Sequence, residues 1–278
     1  MVGTKADDRA SSRESQSSVT TWSRASTRTG DGDHLQRAGS THGTGLCQSR
    51  PSAGDSSFRA LARAHAERSR ALKRGVMLRV DLHLHSNFSH DGRSSLQELI
   101  DRARECRIDR LALTDHNTVD GALNFVRLAP KLAIAGEEVK TLEGEVIGLF
   151  ITSRVPPFLA PEEAMDLIHG MGGLTYLPHP LDRHRSNFRA ERLMQLADRI
   201  DVIETYNPWC DATANRAAAE VADELGKVAA TGSDSHSADE LGRSWMEMEE
   251  YSGTEDFLEK LRFARHVVTA SSGTGRRA

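Results

Sequence analysis

Met77-Leu78-Arg79-Val80-Asp81-Leu82-His83-Leu84-His85-Ser86 reads as a strand that ends in chemistry. Alternation along a strand sends residues two apart to one face, so His83 and His85 present two imidazoles together while Leu82 and Leu84 are expected to pack the other way. Two imidazoles on one face can chelate a metal ion. Beyond this run, short apolar segments keep returning, with helical stretches between them. Strands are expected at 78–84, 110–114, 132–135, 145–151, 174–177, 202–206, 228–231 and 266–269. Helices are expected at 95–106, capped by Ser94, and at 119–128, 161–171, 190–197 and 212–225, the last stopped by Gly226. Regular alternation of this kind implies an α/β fold with a parallel sheet and crossover helices, and this many units in about 200 residues suits a closed or nearly closed barrel.

The strand ends carry the same residue types repeatedly. Asp115-His116-Asn117 follows the second strand, Gly136-Glu137-Glu138 the third, Pro178-His179-Pro180 the fifth and Gly232-Ser233-Asp234-Ser235-His236 the seventh. Barrel active sites gather at the C-terminal ends of the strands, so these imidazoles and carboxylates are expected to meet in one mouth. The pattern predicts a divalent metal centre. It contains no G-x-S-x-G for a serine nucleophile and no G-x-x-x-x-G-K-[ST] for a phosphate loop, so covalent hydrolysis and P-loop chemistry find no support.

Composition narrows the classes further. The 278 residues are 38% hydrophobic and 27% charged, with no apolar run long enough for a bilayer span, so no membrane partner is expected. Three cysteines, Cys47, Cys106 and Cys210, lack C-x-x-C spacing and fit a reducing, cytoplasmic setting. The net charge of −4 divides unevenly. Residues 1–76 hold 13 Lys+Arg against 7 Asp+Glu, net +6, leaving 23 against 33, net −10, for residues 77–278. An acidic body argues against duplex nucleic acid as a partner. Residues 1–76, rich in Ser and Arg, read as a disordered tail, and residues 77–278 as the catalytic domain. Met77, directly before the first strand, is a candidate translation start.

The ordered set His83-Leu84-His85-Ser86, Ser89-His90-Asp91-Gly92, Thr114-Asp115-His116, Gly136-Glu137-Glu138, Pro178-His179-Pro180 and Gly232-Ser233-Asp234-Ser235-His236 resembles the PHP family, named for polymerase and histidinol phosphatase. The resemblance implies a distorted (β/α)7 TIM-like barrel with two or three divalent ions, Mn, Fe or Zn, at its C-terminal face. Carried over by position, it implies that His83, His85, Glu137 and Asp234 hold one ion. Glu137 would bridge to a second ion also bound by His179, and Asp91, His116 and His236 would form a third site. Many relatives place a His on the strand after Gly-Glu-Glu; here Glu145 is the candidate for that place. An oxygen ligand there favours Mn or Fe over Zn by hardness. Asp91 is preferred to His90 as the ligand of its loop.

Phosphate chemistry needs cations, and Pro180-Leu181-Asp182-Arg183-His184-Arg185 supplies them. Arg183 or Arg185 is expected to clamp a second phosphate or the leaving group beside the metals, and both join Asp91 and His116 in the candidate catalytic set. Asn207 is a weaker candidate for orienting substrate, and Glu204 reads equally as a rim contact or a structural acid. His169 and His266 are left as packing or solvent-facing residues, and Trp209 as a loop residue that could stack on a base. The implied activity is a metal-dependent phosphoesterase acting on nucleoside 3′,5′-bisphosphates or the ends of short oligonucleotides, as an exonuclease would. A histidinol-phosphatase-like enzyme and a non-catalytic, metal-stabilised binding module are the alternatives. A metal-dependent amidohydrolase is disfavoured because no strand-end Lys stands out to bridge the ions.

Overall fold

A computed structural model of the chain describes residues 77–185 and 188–269. The tail reading and the Met77 start concern residues 1–76, which lie outside the described residues.

Among the described residues, nine strands form one sheet in the order β7-β6-β5-β4-β3-β2-β1-β8-β9. They are β1 (Met77–Leu84), β2 (Arg110–Leu113), β3 (Ala133–Lys140), β4 (Glu145–Leu149), β5 (Leu174–Leu177), β6 (Val202–Tyr206), β7 (Val228–Thr231), β8 (Ser244–Glu249) and β9 (Arg265–Val268). The helices are α1 (Leu96–Cys106), α2 (Asp120–Leu128), α3 (Pro161–Gly170), α4 (Ala190–Gln195), α5 (Ala212–Glu224) and α6 (Gly253–Leu261). The sheet curls into a nearly closed barrel. Asp234 N donates to His83 O and His85 N donates to Ser235 O, both at 2.7 Å, joining the chain after β7 to the end of β1. Lower down, β1 pairs instead with β8, from Met77↔Glu249 to Val80↔Met246.

The sheet is mixed, which corrects the all-parallel expectation. β1, β2 and β3 run parallel, as do β5, β6 and β7, but β4 is antiparallel to both β3 and β5. The cause is a tight hairpin: Thr141 N and Gly144 O are 2.8 Å apart, and Thr141 Oγ1 donates to Gly144 O at 2.6 Å. Its reversal brings the first residue of β4, Glu145, to the mouth where the other strands end. Strands β8 and β9, both antiparallel to their neighbours, extend the sheet past the seven barrel strands.

Two apolar clusters define inside and outside. One joins helix residues such as Leu99, Phe125, Met165 and Ile168 to Leu84, Leu113, Ala135, Val139 and Leu177 of the sheet. The other fills the barrel with Val80, Leu82, Ala112, Ile134, Ile147, Tyr176, Val202 and Ala230, and Phe257 and Leu261 of α6 join it. Side-chain parity along each strand therefore states which residues face the barrel axis. Leu82 belongs to the inner cluster and Leu84 to the outer one, so they do not share a face as expected. A register shift in β1 between Asp81 and Leu84 is the reason. Such a bulge inserts one residue and re-aims those after it, here turning His83 and His85 inward.

Helix α1 is capped by Ser95 rather than Ser94. The Ser95 hydroxyl accepts from Glu98 N, and Glu98 Oε2 accepts from Ser95 N at 2.7 Å, a reciprocal capping box. Ser94 Oγ instead accepts from Ala238 N at 2.8 Å, tying α1 to the loop after β7.

Candidate metal centre

Each ligand-type residue reaches the mouth for a local reason. His83 and His85 arrive through the bulge in β1. Glu138 shares the inward parity of Ile134, and Glu145 that of Ile147. His179 and Asp234 sit in left-handed backbone, at φ 31° and 48°, immediately after β5 and β7. Non-glycine residues hold such angles at a cost of order 1–3 kcal/mol where the surroundings impose them, often at functional sites. Two close approaches require glycine: a Cβ on Gly92 would lie 1.9 Å from Ser86 O, and one on Gly232 would lie 2.3 Å from the His83 Cβ. The first lets the loop carrying Asp91 fold back on itself; the second lets the chain after β7 cross over His83.

The donor atoms are spaced as ligands are. His83 Nε2 lies 3.2 Å from His85 Nε2, 3.2 Å from Glu138 Oε2 and 3.5 Å from Asp234 Oδ1. His85 Nε2 lies 3.3 Å from both Glu138 Oε2 and Asp234 Oδ1. Bonds of about 2.0–2.1 Å to one ion place tetrahedral donors roughly 3.3 Å apart. The other oxygen of Glu138, Oε1, lies 3.1 Å from His179 Nε2. Glu138 also groups with His116 and Glu145, and His85, Asp91, His116 and His236 form a further group. In that group Asp91 Oδ2 lies 3.0 Å from His236 Nε2 and 3.4 Å from His116 Nε2.

Carboxylate oxygens in the cluster also lack a partner: Asp91 Oδ1 and Asp234 Oδ1 are buried without a hydrogen bond. Buried polar groups in native proteins are satisfied by protein, water or ions. Orphaned atoms, ligand-like spacing and a nitrogen and oxygen donor set together fit divalent cations.

Glu137 is the one residue of the expected set that the structure sends elsewhere. Its Oε2 accepts from Val155 N at 2.8 Å, on the face opposite Glu138, and burial pushes its carboxyl up to about 7. The strand was expected to end at 135, whereas β3 runs to Lys140 and carries the Gly-Glu-Glu segment inside it. Counting alternation forward from inward-facing Ile134 through Gly136 reaches Glu138, the signal that identifies the converging carboxylate. His90 is 80% exposed and 3.9 Å from Asp91, on the edge of the cluster. Arg183 is exposed and lines a cavity beside the mouth, whereas Arg185 Nη2 lies 2.7 Å from Asp234 Oδ2.

A layer of residues behind the donors fixes their aim. Glu204 Oε1 lies 3.1 Å from His83 Nδ1 and accepts from the Tyr176 hydroxyl at 2.8 Å; its Oε2 accepts from His179 N at 2.7 Å and from Asn207 Nδ2 at 2.9 Å. Asn207 Nδ2 also donates to Asp234 Oδ2 at 3.1 Å. Carboxylates placed behind ligating imidazoles set ring orientation and basicity. Tyr176 had no distinguishing signal, being one aromatic in an apolar strand. Asp115 holds the first loop in place, accepting from Ser86 N at 2.6 Å and Ser86 Oγ at 2.8 Å. Trp209 is tied down as well: its Nε1 donates to Asp234 O at 3.0 Å, and Arg243 lies 4.5 Å above its ring.

Charge in the cluster is divided. Burial alone opposes protonation of His83, but Asp234, Glu138 and Glu204 outweigh it and raise its pKa well above the usual histidine value. Burial pushes its neighbour His85 down to about 3. Burial works upward on Asp234 too, yet His83 and Arg185 hold its carboxyl well below the usual range.

Residues 81–206 match the PHP domain, and residues 212–265 match a PHP-associated family. The uncharacterized protein MJ0417 of Methanocaldococcus jannaschii is 34% identical over 180 residues, covering 62% of this chain and 71% of that relative. A Bacteroides vulgatus two-domain protein containing a predicted PHP-like metal-dependent phosphoesterase shares the fold at TM-score 0.59 and 18% identity, over 70% of this chain and 65% of its own. The lesion-specific endonuclease PfuEndoQ of Pyrococcus furiosus does so at TM-score 0.53 and 14% identity, over 69% and 58% of the two chains. The chain belongs to the PHP family, and with it to the metal-dependent hydrolases. No helix among the described residues is long and apolar enough to cross a membrane.

Proposed function

We propose that the protein is a phosphoesterase that cleaves phosphate esters with metal-activated water, acting on nucleoside 3′,5′-bisphosphates or the 5′ ends of short oligonucleotides. One observation carries the reading: His83, His85, Glu138, His179 and Asp234 converge with ligand spacing, with the Arg185 guanidinium beside them. His83, His85, Glu138 and Asp234 would hold one divalent ion, Glu138 and His179 a second with Glu145 nearby, and Asp91, His116 and His236 a third. Glu145, an oxygen donor beside the second ion, favours Mn or Fe there. Bound divalent ions lower the pKa of water from 15.7 to about 7 and neutralise charge on phosphoryl oxygens.

The chain's own groups do the rest. Arg185 can pair with a phosphoryl oxygen through a fork already held near the cluster by Asp234. His116 lies at the mouth, 16% exposed, where with Asp91 and His236 it would hold the third ion beside the departing oxygen. Cys106 and Cys210 are free thiols, which supports a reducing, cytoplasmic setting.

Steady-state cleavage of adenosine 3′,5′-bisphosphate, a 5′-phosphorylated oligoribonucleotide and histidinol phosphate tests the assignment. Metal-dependent turnover of the first two is expected to exceed that of histidinol phosphate. Preference for histidinol phosphate would overturn the nucleotide assignment, and turnover of none would overturn the phosphoesterase reading.

A further inference from the structure

Strand β1 changes neighbour along its length. As far as Val80 it pairs with β8, through Val80↔Met246; from His83 onward it is bonded to the chain after β7, which brings Asp234 N to His83 O and His85 N to Ser235 O. At the fork between these two partners a side chain does what the ladder does elsewhere. Asp81 Oδ1 accepts from Ser233 N at 2.9 Å, and the same oxygen accepts from His83 N at 3.3 Å. Without that oxygen the buried Ser233 N–H would have to be satisfied in some other way. Asp81 is fully buried, and its other oxygen, Oδ2, has no hydrogen-bond partner among the described residues. Burying a polar atom without a partner is costly, so the position keeps a carboxylate for what its bonded oxygen does.

Both N–H groups that Asp81 holds lead straight to metal-type donors. His83 carries one itself, and Ser233 stands immediately before Asp234, whose left-handed backbone turns its carboxylate into the mouth. Asp81 and Ser233 are 152 positions apart in the chain, yet one oxygen fixes the two segments against each other where His83 Nε2 and Asp234 Oδ1 come to 3.5 Å. We infer that Asp81 is a positioning residue of the metal centre, whose Oδ1 pins the β1 bulge to the chain after β7 and thereby sets His83 and Asp234 at the separation that suits one ion. The inference rests on the metal-centre reading and adds to it a residue that touches neither ion nor substrate.

Calorimetric titration of the metal-free full chain with manganese(II) tests it. Asp81→Ala is expected to weaken at least one binding step about 10–100-fold, the effect that partners behind metal ligands have. Asp81→Asn keeps an oxygen acceptor for both N–H groups and is expected to bind as the parent does. His169→Ala, which removes the contact between α3 and Asp201, is expected to lower the denaturant midpoint and leave manganese binding unchanged. Parent-like binding by Asp81→Ala would overturn the inference. So would a loss in Asp81→Asn equal to that in Asp81→Ala, which would make the charge, not the acceptor, the cause. An equal loss in His169→Ala would overturn it too, because general loosening of the fold would then explain the effect. A parent that takes up no manganese would instead bring down the metal centre itself, and the inference with it.

Amide hydrogen exchange of the metal-free parent reads the pin without any substitution, and decides the matter should Asp81→Ala not fold. The Ser233 N–H is expected to exchange as slowly as the Asp234 N–H, which His83 O holds. Exchange of Ser233 at the rate of an unprotected loop amide would overturn the inference.

Discussion

Glu138 offers its two oxygens to different neighbours: Oε2 is 3.2 Å from His83 Nε2, and Oε1 is 3.1 Å from His179 Nε2. A side chain between two groups of donors should govern occupancy of both. Glu138→Gln is expected to lower bound metal by at least one ion per chain and kcat/KM by about 100-fold or more, read by elemental analysis and steady-state kinetics. Glu137→Ala is expected to keep the metal and lose about 1–3 kcal/mol of stability in urea, because it leaves the buried Val155 N–H without its acceptor. Exchanged outcomes would return the ligand role to Glu137. The pair also shows what the sequence could and could not reveal at this scale. The residue types at the strand ends are visible in the chain, but which of two adjacent glutamates faces inward depends on where the strand stops, and β3 continues five residues past Ala135 to Lys140. The same limit hid the β1 bulge, since two leucines flanking a histidine look alike whichever side they pack on.

Helix α3 is tied to the sheet by a polar staple. His169 Nε2 lies 2.8 Å from Asp201 Oδ2, which also accepts from Thr175 N at 2.8 Å, linking α3 to β5 and to the residue before β6. The Asp201 hydrogen bond raises the pKa of His169 against the effect of burial. Burial raises that of Asp201, but the His169 hydrogen bond outweighs it and the net shift is downward. A raised histidine stabilises the fold fully below its unfolded pKa, about 6.5, and loses that contribution as pH climbs through the folded value; a depressed carboxyl contributes above its unfolded pKa, about 3.9. His169→Ala should therefore cost most between roughly pH 4 and 6.5, about 1 kcal/mol after screening of a ring that is one-third exposed, and less at pH 9. Denaturant melts at pH 5.5 and 9 measure this, and a cost that grows with pH would contradict it. The strands and helices that alternate cleanly were legible at this scale. β8 was not, because Ser-Trp-Met-Glu-Met-Glu mixes weak strand formers with charge, and it is held as a strand by pairing to distant β1. The reversal of β4 was hidden for a related reason: direction depends on the Thr141–Gly144 turn rather than on any property of the strand itself.

Across the whole molecule the barrel has two unlike ends. Its lower interior is apolar and joined by Phe257 and Leu261 of α6, while its mouth gathers imidazoles and carboxylates supplied from both ends of the domain sequence, His83 to His236. Burying this many acids together is costly unless cations accompany them, so the polar mouth and the metal centre stand or fall together. Diffraction from crystals grown with manganese, recorded on both sides of the manganese absorption edge, tests that claim directly. The account predicts one anomalous peak enclosed by His83, His85, Glu138 and Asp234 and another between Glu138 and His179. Crystals with no peak in the mouth, or with a peak ligated by Glu137, would contradict it.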